Sequence, residues 1–507
     1  MISFPRPSIE QFFKIHHIER FSVSPDEKQI IFSTNLSGKY DLWAMDLTKR
    51  FPFRLTFNGQ RFQTIHYDKQ GRFIIVGFDQ DGDECTQLYA LPQSGGSLVP
   101  IRLAKGKGHL FVALSEDGER IYYTSNKENE KYLSSYCYNM RTETETKILE
   151  GEQAATYLEA ISPKERSFLF IRYIANTIKY GYIKVGKEEV RITPDNHSPH
   201  TVSKGIYCSE DEVYFITNYE ADFSYLAKFD LRTRLFTKVL AIEGEELTQL
   251  KWDKERKVFY LVTSKGVIDR LYKYDLISGY LESIDLPVHL IEQLVVTEAG
   301  NVYLLGCRAT RPHNIYRKRQ GEDAWEELSH NRVPGVMEEE LVDPEILSYP
   351  SFDGQSIEAL YFPAAPSVSN GYLILWPHGG PQWAERKSFK PLFQLLLNRG
   401  YSLFAPNFRG SIGYGLPFMK QVEGDWGHGP RLDLIAGVNW LIEKGKAEKG
   451  RIVLMGASYG GYLSLLLAGR HPEYFQACID LFGISNLLTY IESVVPHWKP
   501  VMKKMVG

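Results

Sequence analysis

One pattern of apolar and polar positions recurs along the first two thirds of the chain. An apolar residue precedes a short polar turn rich in Ser, Asp, Glu, Lys and Gly, and a run of apolar residues follows the turn. A further apolar run begins 17 to 21 residues later, as at Leu42 and Leu88. Successive copies are 44 or 47 residues apart, and their turns begin at Ser24, Asp68, Ser115, Ser162, Ser209, Asp253 and Thr297. Because about 45 residues hold the four short strands of one β-propeller blade, the pattern predicts seven blades over roughly residues 20–330.

The pattern changes near residue 340, after a connector rich in Pro and Glu. A β-hairpin turning at Asp353-Gly354 comes first, and strands then alternate with amphipathic helices. This alternation predicts a mostly parallel sheet with helices on both faces. We therefore expect two domains, residues 1–340 and 341–507. The predicted strands cover 372–377, 401–408 and 451–456, and the predicted helices cover 388–400 and 432–445.

Charge and cysteine content exclude several classes of protein. The formal net charge of −3 gives no reason to expect a nucleic-acid partner or an anionic membrane surface. No apolar run approaches the roughly 20 residues that span a bilayer, and the N-terminus lacks the pattern of a signal peptide. The five cysteines are widely separated and lack metal-site spacing, so we expect free thiols, no metal and a cytoplasmic location.

Ser458 is the candidate nucleophile. It lies in Gly456-x-Ser458-x-Gly460, followed by Gly461, between a predicted strand and a predicted helix. A serine on such a tight strand-to-helix turn exposes its hydroxyl above the sheet, and small glycines permit the crowded backbone. The helix N-terminus then directs free N–H groups toward the reaction centre. The sequence therefore predicts a nucleophile elbow made by Gly456, Gly460 and Gly461 around Ser458.

An oxyanion hole is expected between this elbow and the loop His378-Gly379-Gly380-Pro381. A tetrahedral intermediate needs two preorganised donors about 3 Å from its oxyanion. We assign one donor to the N–H of Tyr459 and the other to the N–H of Gly380, whose loop Pro381 stiffens. His378 is interpreted as a residue that shapes the loop, because it lies on another strand far before the serine.

Together these motifs resemble the prolyl oligopeptidase family of serine peptidases, in particular its acylaminoacyl-peptidase and dipeptidyl-peptidase-like bacterial branch. The similar segments are HGGP at 378–381, NFRGSIGYG at 407–415, EGDWG at 423–427 and GASYGGY at 456–462. The resemblance implies a seven-bladed β-propeller before an α/β-hydrolase (peptidase) domain. It also implies short or N-blocked peptide substrates filtered by the propeller, an acyl-enzyme on Ser458, and no cofactor. Phe408 stands where the branch more often has Pro.

The sequence departs from this family after the nucleophile. The family's triad runs in the order Ser, Asp, His, with the acid and the base far beyond the serine. Only 49 residues follow Ser458, and Asp480, His471 and His497 are the only Asp and His residues among them. We interpret none of the three as a triad member, and expect a truncated hydrolase domain, an inactive chain, and open apolar faces on strands 372–377 and 451–456.

Two alternative functions remain open at this point. A carboxylesterase would use the same serine and oxyanion hole, although most esterases of this fold lack a propeller. A non-catalytic peptide-binding protein would use the propeller alone. Substrate preference at the cleaved bond and oligomeric state are not readable from the sequence.

Overall fold

The computed structural model describes residues 5–194 and 198–506; residues 1–4, part of the predicted propeller domain, lie outside them. Seven four-stranded antiparallel sheets follow one another along the chain, each with its strands in sequence order. The predicted seven-bladed propeller is therefore confirmed. The strands of blades 1 to 4 are Ile18–Val23 (β1), Gln29–Thr34 (β2), Asp41–Asp46 (β3), Pro52–Arg54 (β4), Phe62–Tyr67 (β5), Phe73–Phe78 (β6), Gln87–Pro92 (β7), Val99–Arg102 (β8), His109–Leu114 (β9), Arg120–Ser125 (β10), Ser134–Asn139 (β11), Thr144–Glu150 (β12), Ala155–Ile161 (β13), Ser167–Ala175 (β14), Ile178–Val185 (β15) and Glu188–Arg191 (β16). Those of blades 5 to 7 are Val202–Tyr207 (β17), Glu212–Thr217 (β18), Tyr225–Asp230 (β19), Leu235–Leu240 (β20), Glu246–Asp253 (β21), Val258–Lys265 (β22), Ile268–Asp275 (β23), Leu281–Ile284 (β24), Leu290–Val296 (β25), Val302–Arg308 (β26), Arg311–Lys318 (β27) and Trp325–Glu327 (β28).

The recurring turns join the first strand of each blade to its second strand. In blade 1 the Ser24 hydroxyl donates to Asp26 at 2.7 Å and accepts the Gln29 N–H at 3.0 Å. In blade 3 Ser115 repeats both bonds with Asp117 and Arg120. A short polar side chain at the anchor thus adds to the backbone hydrogen bonds that close the turn, such as that from the Glu27 N–H to the Ser24 carbonyl at 2.9 Å.

The propeller ring closes between blade 1 and blade 7 without a shared strand. Gln293 on β25 accepts the N–H of Phe21 on β1 at 3.1 Å and donates to the Phe21 carbonyl at 2.8 Å. Glu27 accepts from the side chains of Asn301 and Tyr303 at 2.8 and 2.9 Å. A common apolar cluster of the two blades lies behind these bonds. Side-chain contacts between blades 1 and 7 therefore close the propeller ring.

The second domain is a six-stranded sheet in the order β29-β30-β32-β31-β33-β34. β29 and β30 form the predicted antiparallel hairpin, and the last four strands are parallel to one another. Helix α2 begins three residues later than predicted because Pro391 is favoured at a first helical position. The strands are Glu345–Pro350 (β29), Ser356–Phe362 (β30), Leu373–Leu375 (β31), Ser402–Pro406 (β32), Ile452–Ala457 (β33) and Phe475–Leu481 (β34). The helices of the chain are Ile9–Phe13 (α1), Pro391–Asn398 (α2), Leu416–Lys420 (α3), Gly429–Glu443 (α4), Tyr459–Arg470 (α5), Leu487–Ser493 (α6) and Lys499–Val506 (α7), with 3₁₀ turns at Glu338–Glu340 and Pro472–Tyr474.

The expectation that strands 372–377 and 451–456 expose apolar faces is wrong. Leu373, Leu375, Ile452 and Leu454 are all buried, because clusters that include residues of α2, α4 and α5 cover both faces of the sheet. The exposed strand is β34, which pairs only with β33 among the described strands. The open edge of the sheet is thus β34, not the strands at its centre.

The two domains contact each other through several short segments. Asn176, between β14 and β15, donates to the side chain of Gln382 at 2.8 Å. Gly413 N–H donates to Glu246 at 3.0 Å, and α7 packs against β14. None of the described helices is both long and apolar enough to cross a membrane.

Candidate active site

Ser458 lies exposed at the junction of β33 and α5. Its backbone has φ 56° and ψ −121°, a conformation that costs a non-glycine residue about 1–3 kcal/mol and that recurs at functional sites. Its N–H donates to Leu481 on β34 at 3.0 Å, and its carbonyl accepts from Tyr462 at 3.0 Å. The neighbouring strand and the new helix therefore hold the turn, and the side chain projects outward.

The three elbow glycines leave no room for a side chain. A Cβ on Gly456 would lie 2.3 Å from the Gly460 carbonyl oxygen, and one on Gly460 would lie 2.1 Å from the Pro377 carbonyl oxygen. A Cβ on Gly461 would lie 2.2 Å from the Asp480 carboxylate. Real Cβ atoms do not approach that closely, so the elbow can form only with glycine at these positions.

The loop His378–Pro381 lies directly against the elbow. An added Cβ on Gly379 would be 3.0 Å from the Ala457 carbonyl oxygen and 3.6 Å from Ser458 Cβ. Gly380 has φ +46°, in the left-handed region that favours glycine. Within the described residues, neither Gly380 N–H nor Tyr459 N–H donates to a protein acceptor. Both predicted oxyanion donors are therefore free for a ligand.

His378, the first residue of this loop, is buried, and both of its ring nitrogens have partners other than Ser458. Its Nε2 lies 2.9 Å from the Ser411 hydroxyl and its Nδ1 lies 3.0 Å from the Gly379 carbonyl oxygen. Its ring stacks on Phe408 with centroids 4.1 Å apart. Burial lowers the pKa of His378 to about 4, so the ring is neutral near pH 7. Phe408, at the position where Pro is more usual, thus supplies a flat surface for this ring.

Tyr459 is anchored by the segment EGDWG. Its hydroxyl donates to the Trp426 carbonyl at 2.6 Å, and its ring meets the Trp426 ring edge-on at 5.0 Å. Burial raises the pKa of Tyr459 well above its usual value. A fixed side chain holds the backbone N–H that begins α5, so the segment EGDWG positions the predicted oxyanion donor from outside the site.

Sequence reasoning missed the buried ion pair that shapes the loop 407–415. Arg409 donates to Asp433 through Nε and Nη2 at 2.8–3.1 Å, and Asp433 also accepts the Arg409 N–H. The Ser351 hydroxyl donates to the same carboxylate at 2.5 Å. The signal was Arg409 within the motif at 407–415, but its partner lies on α4 and cannot be read from spacing.

Neither histidine that follows Ser458 in the sequence is hydrogen-bonded to this candidate nucleophile. His471 ends α5, a 12-residue helix, and its ring contacts Arg431. His497 is half-buried near the Glu130 backbone of blade 3, and this burial lowers its pKa. Asp480 accepts the Gly483 N–H at 2.8 Å in the turn after β34. Within the described part of the chain, no histidine is hydrogen-bonded to the Ser458 hydroxyl.

Comparison with known sequences shows which proteins this chain is similar to. Residues 387–501 match the prolyl oligopeptidase family. Dipeptidyl peptidase family member 6 of Caenorhabditis elegans is 36% identical over 145 residues, which are 28% of this chain and 20% of that protein. Dipeptidyl-peptidase 5 of Porphyromonas gingivalis is 26% identical over 496 residues, 95% of this chain and 65% of that protein. The resemblance to the prolyl oligopeptidase family is confirmed; these matches span between about a fifth and about two thirds of the relatives' lengths.

Solved structures share the two-domain fold. A puromycin-hydrolysing peptidase of Mycobacterium tuberculosis superposes on the whole of this chain and on 83% of its own length with a TM-score of 0.86. The two sequences are 16% identical. This likeness confirms the order of propeller and hydrolase domain and carries no statement about chemistry.

Proposed function

We propose that this chain, which resembles the prolyl oligopeptidase family, is a serine peptidase that uses Ser458 as its nucleophile on short or N-blocked peptides. The observation that carries the proposal is the exposed Ser458 hydroxyl on a strained strand-to-helix turn, with two unengaged backbone donors beside it. The propeller next to the site supports a filter that keeps folded proteins away from the serine.

The geometry supports acyl transfer in two steps. Ser458 Oγ attacks the substrate carbonyl and a base takes the hydroxyl proton, while the N–H groups of Tyr459 and Gly380 stabilise the oxyanion. The leaving amine takes a proton as the peptide bond breaks, which leaves an ester on Ser458. Water then attacks the ester and releases the acid.

None of the described residues is placed to act as a general base for Ser458. The Nε2 atom of His378 is engaged by Ser411, and His471 and His497 lie elsewhere. Without a base the serine hydroxyl keeps its proton near neutral pH, and its nucleophilicity is low. We therefore propose that the 507-residue chain by itself shows no peptidase turnover above a Ser458→Ala control.

Labelling with a fluorophosphonate probe, with and without added imidazole, tests this function. Imidazole is the side chain of histidine in free form, and the exposed site leaves it access to the Ser458 hydroxyl. We expect labelling that depends on imidazole and disappears in Ser458→Ala. Absence of labelling at every imidazole concentration, or labelling that survives in Ser458→Ala, would contradict the proposal.

A further inference from the structure

Trp383 is an exposed tryptophan on a loop that is otherwise covered. It lies three residues after Gly380, and 62% of its surface is exposed. Every other residue of the segment 381–390 is buried or half-buried. Tryptophan is a large apolar side chain, and leaving it in water is unfavourable. A ligand that covers the Trp383 ring would therefore gain free energy from its burial.

The backbone on both sides of Trp383 is held by the propeller. Gln382 accepts a hydrogen bond from Asn176 of blade 4 at 2.8 Å, and Arg386 pairs with Asp269 of blade 6 at 2.5 Å. These two contacts fix the loop before and after the tryptophan. The Trp383 ring thus stays exposed although the propeller lies next to the loop.

A short series of contacts connects Trp383 to the candidate nucleophile. A Cβ on Gly380 would lie 3.8 Å from Trp383 Cβ, and a Cβ on Gly379 would lie 3.6 Å from Ser458 Cβ. The Trp383 carbonyl accepts the Ile412 N–H at 3.0 Å, which ties it to the loop 407–415. The tryptophan is therefore a fixed neighbour of the predicted oxyanion donor Gly380.

Phe482 is a second exposed aromatic residue next to the elbow. It follows β34 directly, and 80% of its surface is exposed. Its φ is +47°, a conformation that is rare for a bulky residue and that concentrates at functional sites. The Leu481 carbonyl accepts the Ser458 N–H at 3.0 Å, and a Cβ on Gly461 would lie 2.7 Å from Gly483 Cα. The residues before and after Phe482 thus contact the elbow.

The sheet topology places Trp383 and Phe482 on either side of Ser458. The strand order is β31-β33-β34, and the three strands are parallel. The loop with Trp383 follows β31, Ser458 follows β33, and Phe482 follows β34. Ligands of open α/β sheets bind outside the carboxyl ends of such strands. The two residues, which we call the aromatic pair, therefore flank the nucleophile at the edge where a ligand is expected.

Both rings of the aromatic pair are open to a ligand. Neither side chain belongs to an apolar cluster of its domain. Among the described residues, no aromatic ring or cationic side chain stacks on Trp383 or Phe482. Apolar surface that is exposed beside polar groups with a fixed position is typical of a binding groove.

We propose that the aromatic pair binds apolar side chains on the two sides of the cleaved bond, so that the chain prefers peptides with aromatic residues at both positions. This inference rests on the proposed peptidase function for the cleavage, but not for the binding. A peptide whose carbonyl oxygen accepts from Tyr459 and Gly380 crosses Ser458 and extends toward both rings. Contacts between aromatic rings add to the gain from buried apolar area.

Calorimetric binding to the Ser458→Ala chain tests the preference without any chemistry. The ligands are three N-acetylated tetrapeptide amides: Ala-Phe-Phe-Ala, Ala-Phe-Ala-Ala and Ala-Ala-Ala-Ala. We expect the first peptide to bind at least about tenfold more tightly than the third, because each phenyl group is buried against one ring of the pair. The second peptide should have an intermediate affinity.

Matched variants assign the preference to the aromatic pair. Trp383→Ala and Phe482→Ala should each remove part of the preference, and the double change should remove all of it. Trp383→Phe keeps an aromatic ring and should retain the preference. The control is Phe51→Ala with Tyr280→Ala, two exposed aromatic residues on turns between third and fourth strands of blades 1 and 6, which should leave the preference unchanged.

Two results would overturn the inference: equal affinities for the three peptides, or a preference that survives the double Ala change. A loss confined to one of the single variants would overturn the two-sided arrangement. Should imidazole-dependent labelling of Ser458 fail while the preference holds, only the proposed peptidase function falls. Labelling of Ser458 without the preference leaves that function in place and removes the aromatic pair.

Discussion

Gly460 and Gly469 lie on the same helix, α5, in opposite surroundings. A Cβ on Gly460 would lie 2.1 Å from the Pro377 carbonyl oxygen, whereas Gly469 has no atom within 4 Å of its Cβ position. We expect Gly460→Ala to lower the free energy of unfolding by about 1–3 kcal/mol, because backbone must move. Gly469→Ala should raise it by up to about 1 kcal/mol, because alanine favours helix. Equal effects of both changes in denaturant unfolding would show that the elbow is not tightly packed.

His378 provides a second prediction at single-residue scale. Its pKa is about 4 in the folded chain and near 6.5 in an unfolded one, so between these pH values the unfolded state binds more protons. The contribution of His378 to stability is therefore present above pH 6.5 and is lost as pH falls toward 4. We expect His378→Gln to reduce the slope of unfolding free energy against pH in this window, by up to about 1.4 kcal/mol per pH unit.

The matched control for that measurement is His330→Gln, since His330 is exposed on the propeller surface. It should leave the slope unchanged. If the slope of unfolding free energy against pH is the same in His378→Gln as in the unchanged chain, the assignment of a neutral, buried ring is contradicted.

The glycines and the serine of the elbow were readable from sequence because their requirement is local. The partners of His378 were not. Phe408 and Ser411 meet the ring from a loop 30 residues later in the chain, and a stacking contact leaves no periodic signal. The ion pair between Arg409 and Asp433 could not be predicted either, because its two buried charges are far apart in sequence.

At the scale of elements, the burial of a strand determined whether that strand could be predicted from the sequence. The second strand of most blades is buried along nearly its whole length, as in β2, β18 and β26, and so appears as a continuous apolar run. Outer strands such as β12 and β20 are largely exposed and carry no alternation that marks them. The blade count followed from the buried strands, and the outer strands had to be inferred from the repeat length.

Helix α6 is loosely packed on the second domain. It has no buried residue, and Phe482 and Leu488 expose 80% and 76% of their surface. Segments with few buried contacts open first. We expect brief chymotrypsin digestion to cut first between residues 482 and 498, as read by mass spectrometry of the fragments. First cuts within the blades of the propeller would contradict this order of stability.

At the scale of the whole molecule, the closure of the propeller depends on side chains. Gln293 makes two hydrogen bonds to the backbone of Phe21 across the seam of blades 1 and 7. We expect Gln293→Ala to lower the free energy of unfolding by about 1–3 kcal/mol, because two partly buried backbone groups lose their partners. Gln320→Ala, on an exposed turn of blade 7, should change it by less than about 0.5 kcal/mol. If the two variants unfold alike, the seam is held by its apolar cluster alone.

The central claim is that Ser458 forms an acyl-enzyme once a base is supplied. The most direct test is peptide mapping of the 507-residue chain after reaction with p-nitrophenyl acetate in the presence of imidazole. Ser458 Oγ would displace p-nitrophenolate and give its proton to imidazole, leaving an acetyl ester on the tryptic peptide that contains Ser458. We expect this adduct in the unchanged chain with imidazole, and we expect it to be absent without imidazole and in Ser458→Ala. An unmodified Ser458 peptide at every imidazole concentration would contradict it.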